Sequence, residues 1–237
     1  MRQSTSSRLS LVLLAAMLGI AASAEAGPPL ICHVISIGNA KSLPWTDSNG
    51  GTDPNYDLKN LVPDTLAILT PSTPVIVRME TLRRATIYER QDPYVAKELL
   101  TRLYARASDS DRAGQPNALA WFDAGYVVEC YKQWIGRNLP HMTDGLRMDP
   151  NPAANLDGYA WVTRAIGLRG ADAQMEFGAA LISLYGSHAS DLRGHAQRAQ
   201  AAASSDPLLA ANLGSHFVGN RGETVAELIS NVTTAKN

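Results

Sequence analysis

Residues 74–90 read PVIVRMETLRRATIYER. Val75, Ile76, Met79, Leu82 and Thr86 recur there at three-and-four spacing, with Arg78, Glu80, Arg83 and Arg84 falling between them. An apolar stripe of that period set against charge predicts an amphipathic helix, and Glu80 and Arg84 stand one turn apart, where an acid and a base support it.

Working C-terminally, Asp92-Pro93 reads as an N-cap followed by proline in the first turn. The helix it opens turns Val95, Leu99, Leu100, Leu103 and Ala107 inward. A polar linker, Ser108 to Gln115, precedes a third helix beginning near Pro116, in which Leu119, Phe122, Tyr126, Cys130 and Trp134 form one stripe. That stripe aims Cys130 at the core. A second break, Arg137 to Pro152, is rich in Pro, Gly and Asp.

Beyond it, helical segments begin near Asn155, Asp172, Ala189, Asp206 and Glu223, a step of about seventeen residues. Two steps make the period of tetratricopeptide (TPR) repeats, and Ala173, Phe177 and Ala180 match the small–aromatic–small spacing of that repeat's second helix. The Trp, Leu-Gly and Tyr positions of the first helix are not met. A generic helical bundle explains the same step, so both readings stay open. The fold class expected is all-α: antiparallel helical hairpins, six or more helices, with a short TPR-like solenoid as one form of the C-terminal half.

Working N-terminally, residues 27–63 read as an extended arm that is stable only when laid across something else. Leu43-Pro44-Trp45 is its anchor, and the run from Asp47 to Asn55 is dense in turn formers. Ahead of the arm, Arg2 and Arg8 precede an apolar stretch, Leu9 to Ile20, followed by Ala22-Ser23-Ala24 and Ala24-Glu25-Ala26. This is the layout of a secretory signal peptide over residues 1–26, cut before Gly27, and the apolar run is too short to cross a bilayer. Ile31 precedes Cys32, which excludes a lipid-modified start. The expected organisation is signal peptide 1–26, arm 27–63 and helical domain 64–237, with sub-units 64–138 and 153–237. The expected location is the periplasm or the extracellular space.

Four short stretches, GPPLICH (27–33), IGNAKSLPW (37–45), DTLAIL (64–69) and VRMETLRRA (77–85), resemble an uncharacterised family of exported bacterial helical proteins. The resemblance implies an exported helical protein. It brings no activity and no functional residue with it.

The chain carries 21 basic and 22 acidic residues. Signal cleavage removes Arg2, Arg8 and Glu25, leaving 19 and 21, so the chain has no electrostatic footprint for nucleic acid or an anionic membrane. Two cysteines, Cys32 and Cys130, either form a disulfide in an oxidising compartment or remain two thiols with Cys130 filling the core.

Cys32-His33 pairs two metal ligands, but no second cluster completes a tetrahedral site, and His141, His188, His195 and His216 are scattered. No metal and no cofactor are expected. Turn chemistry accounts for the Asp and Asn residues between Asp47 and Asp57 better than calcium does. Arg78, Arg83 and Arg84, with Arg90 beyond them, are the densest basic feature. They serve either as a groove pairing carboxylates or phosphates, or as a solvated face balanced by Glu80 and Glu89. Asn231-Val-Thr233 fits a glycosylation sequon. No nucleophile elbow, phosphate loop or paired catalytic carboxylates are present.

The function expected first is a non-catalytic module that holds a protein or peptide of the cell envelope. The second is an enzyme whose site gathers distant residues such as His33, Glu80, Arg84 and Asp123. The third is a structural component of the envelope.

Overall fold

The computed structural model describes residues 28–46, 51–134, 155–184 and 188–217. The signal segment, the break at 137–152, His141, the helix expected near Glu223 and the sequon at 231–233 lie outside them. The described residues contain eight α-helices and no strand: α1 Leu61–Ile68, α2 Val75–Tyr88, α3 Pro93–Arg112, α4 Ala118–Lys132, α5 Gly158–Arg169, α6 Ala173–Ser183, α7 Leu192–Ala201 and α8 Pro207–Phe217. No helix among them is long and apolar enough to cross a membrane.

The helix starts follow local chemistry. The Asp92 carboxylate accepts from the Tyr94 amide with Pro93 just behind it, as expected. Asn117, Asp157 and Asp172 cap α4, α5 and α6 in the same way. Helix α1 opens at Leu61, ahead of the expected Asp64, because Pro63 fits the first turn, where its missing N–H has no intrahelical partner to lose. Helix α3 runs on through the expected linker to Arg112 before Gly114 turns the chain at φ 69°. Ala107 still faces the core there, and the added turn carries its polar side chains outward.

Helix α2 sits at the centre. The sequence pattern implied one apolar stripe and one charged face, yet every residue of α2 except Arg84 is buried. Helix α4 lies alongside it, with Phe122, Tyr126 and Cys130 fully enclosed and Trp134 nearly so, as their common stripe requires. Helices α4 and α5 run antiparallel in close contact, Trp121 meeting Trp161 near one end and Glu129 reaching the Tyr159 amide near the other. Glycine makes that approach. A Cβ on Gly125 would stand 2.6 Å from the Gly158 carbonyl oxygen.

In the C-terminal half Asp157 and Asp191 precede α5 and α7, while Asp172 and Asp206 precede α6 and α8. The two pairs of aspartates keep a spacing of 34, but the helix starts at 158, 173, 192 and 207 alternate intervals of 15 and 19 in place of a constant seventeen-residue step. The closest contacts are α4 on α5 and α6 on α7, whereas α7 and α8 touch only slightly. The step thus yields hairpins without a uniform stack. Asp191 makes no capping bond and instead accepts from the Tyr159 hydroxyl.

Candidate functional site

The charged residues of α2 fall into two groups with different work. Glu80 is fully buried and gathers four donors: Arg83 Nε at 2.7 Å and Nη2 at 2.9 Å, Arg84 Nε at 2.8 Å, and the Ile35 amide at 3.1 Å. Both arginines then reach back to the N-terminal arm, Arg83 Nη1 donating to the Ile31 carbonyl and Arg84 Nη1 to that of Leu43. Their guanidinium carbons lie 4.6 and 5.3 Å from the centre of the Trp45 ring. Tyr88, one helical face further on, donates to the Pro44 carbonyl and accepts from the Asp53 amide.

The arm is therefore held by the charged side of α2. Leu30 N donates to Gln133 of α4, and Ser36 exchanges two backbone bonds with the Asn212 amide of α8. The solvated-face reading does not describe Arg78, which is 2% exposed, nor Arg83, equally enclosed. Arg83 and Arg84 are engaged in ordering the chain itself.

The structure places no disulfide between Cys32, which is half-buried, and Cys130. Cys130 is sealed in the core, and burial pushes its thiol well above the ordinary range, as for an inert apolar residue. The ion pairs and backbone bonds just described tie the arm to the body.

Arg78 belongs to a separate place. Its Nη1 donates to Asp123 Oδ2 at 2.5 Å, its Nε to the Thr73 carbonyl at 3.0 Å, and its Nη2 to the Thr70 carbonyl. Asp123 Oδ1 has no hydrogen-bond partner among the described residues. Burial pushes the Asp123 carboxyl up to about 7, against the downward pull of Arg78 and Arg106, and burial also lowers the Arg78 guanidinium.

This pair borders a cleft of about 500 Å³ between α1, α3 and α4. Leu66, Leu69, Pro71, Leu103 and Leu119 wall it, and Arg106 and Asn117 add polar groups. Arg106 is exposed, donates to the Leu66 carbonyl and forms no ion pair among the described residues. The volume falls in the range of small-ligand pockets, and apolar walls with a few polar groups are the usual composition of one.

The distant residues named for an enzyme do not converge. Glu80 and Arg84 meet, but Asp123 pairs with Arg78, and the His33 ring stands 5.9 Å from that of His216. Burial and the neighbouring His33 lower His216. No three metal-ligating side chains converge among the described residues.

A polar chain in the C-terminal half escaped the sequence reading. Glu176 accepts from His195 Nδ1 at 2.5 Å and Arg198 Nε at 2.6 Å, His195 Nε2 lies 2.8 Å from the Tyr159 hydroxyl, and that hydroxyl donates to Asp191 at 2.9 Å. His188 stacks on the Tyr159 ring. The residues come from distant parts of the chain, and in the sequence His188 and His195 stood only as scattered histidines. Burial and the Asp191 hydrogen bond raise the Tyr159 phenol to about 12, which makes a phenolate costly there.

The chain matches no known protein family, no curated protein and no solved structure.

Proposed function

We propose that this chain is an exported, non-catalytic interaction module that holds a segment of an envelope protein or peptide in the cleft between α1, α3 and α4. The observation that carries the reading is the cleft itself: about 500 Å³ walled by leucines and a proline, bordered by a buried charge pair and an exposed arginine that forms no ion pair among the described residues. Apolar walls supply affinity on burial, and few polar groups set orientation. The signal-like N-terminus supports export, and a partner in the envelope follows from it.

An enzyme is the second reading, favoured by the Glu176–His195–Tyr159 chain, whose order resembles a base aligned by a carboxylate. The raised phenol of Tyr159 counts against it as a nucleophile.

A photo-crosslinking residue at Leu66, on the cleft, tests the first reading against one at Leu168, an exposed leucine of α5. In the native envelope fraction, position 66 should yield a defined adduct that maps to one partner segment. Ala120→Trp, which fills the cleft, should abolish it. Equal labelling from both positions, or turnover of a small molecule with no adduct, would defeat the proposal.

A further inference from the structure

We infer that the cleft accepts a tyrosine side chain flanked by acidic residues, the phenol hydroxyl donating to Asp123 and the acids lying against Arg106. This rests on the cleft being the binding site and goes on to name what fills it.

The argument begins with charge. Arg78 and Asp123 cancel at the floor, and Arg106 leaves the cleft with a surplus positive charge. A lysine or arginine from a partner would meet an acid that is already paired and a second cation at the rim. A neutral donor escapes that repulsion.

The floor asks for a donor. Asp123 is 3% exposed, its Oδ2 is held by Arg78, and its Oδ1 has no hydrogen bond among the described residues. A buried carboxylate oxygen without a hydrogen bond is costly, and a bound O–H relieves that cost. Asp123 is among the residues that line the cleft, so its carboxylate stands at the floor beneath a ligand seated there.

The walls ask for an apolar body. Leucines and a proline exclude a wholly polar ligand, while the volume takes an aromatic ring with its flanking backbone. A phenol combines an apolar ring with a neutral donor at its tip. Arg106 selects the neighbours, because an exposed guanidinium with no ion pair among the described residues is placed to pair with a carboxylate from the partner.

The test is an NMR titration of the full mature chain, followed at Leu103 and Ala120, with capped tripeptides of Asp–X–Asp type. X is tyrosine, phenylalanine or lysine. The tyrosine peptide should bind about tenfold tighter than the phenylalanine peptide, the effect of one hydrogen bond to a charged acceptor. The lysine peptide should bind weakest. Replacing both flanking acids by serine should weaken the tyrosine peptide by a few-fold, and Arg106→Gln should erase that difference while keeping the tyrosine-to-phenylalanine ratio.

Equal binding of tyrosine and phenylalanine peptides, or strongest binding by lysine, would overturn the inference while leaving the cleft a binding site. No perturbation by any peptide would overturn it too. Crosslinking at Leu66 then judges separately whether the cleft binds anything.

Discussion

Glu89 follows the last residue of α2 and is fully buried, with Oε2 accepting from the Tyr131 hydroxyl at 2.6 Å and Oε1 without a hydrogen bond among the described residues. Burial pushes its carboxyl from 4.5 up to about 8, the Tyr131 bond pulling only partly against it. The folded chain therefore keeps a proton that the unfolded chain releases above pH 4.5. Stability from this residue is complete below pH 4.5, declines by about 1.4 kcal/mol per pH unit, and is gone by about pH 8. The total is about 5 kcal/mol. Glu89→Gln keeps an acceptor for Tyr131 and cannot ionise, so its difference from the parent isolates this term. Asp123 titrates with the same sign in both proteins and cancels. Urea unfolding followed by helical ellipticity at pH 5, 6.5 and 8 should show the variant gaining on the parent at each step. A difference that stays constant across that range would refute the reasoning.

Glu80→Gln should cost about 3–5 kcal/mol in the same assay, because Arg83 stays buried without its counter-charge. Limited proteolysis should then cut the arm before the helical body, and simultaneous cleavage of both would contradict the role given to Glu80. Gly125→Ala should cost about 1–3 kcal/mol by forcing α4 from α5. Gly167→Ala, whose added methyl meets nothing within 4 Å, should instead stabilise α5 by about 0.5–1 kcal/mol. Melting temperatures moving the same way in both glycine variants would count against the packing described.

The helices were legible because their signals are local. The stripe through Phe122, Tyr126 and Cys130, the Asp92-Pro93 start and the spacing of Asp172 and Asp206 all lie within a few turns of what they specify. The setting of α2 was not legible. A charge facing water and a charge facing a buried partner look the same in a sequence, and the acceptors of Arg83 and Arg84 are backbone carbonyls some 40 to 50 residues away. Asp123 could be named as a polar residue of interest, but not as the partner of Arg78 across 45 positions. The Tyr159–His195–Glu176 chain was hidden for the same reason.

The bond between Ser36 and Asn212 spans 176 positions, and that between Leu30 and Gln133 spans 103. A segment tied across such distances cannot find its seat while the chain is still being delivered from its first residue onward. The part that emerges earliest is completed last, after α8 has arrived, and native contacts of such long range slow folding. The ties of Ile31, Ile35 and Leu43 to α2 can form earlier, so what waits for α8 is the stretch around Ser36. The final seating of Ser36 is thus the step at which the arm depends on α8.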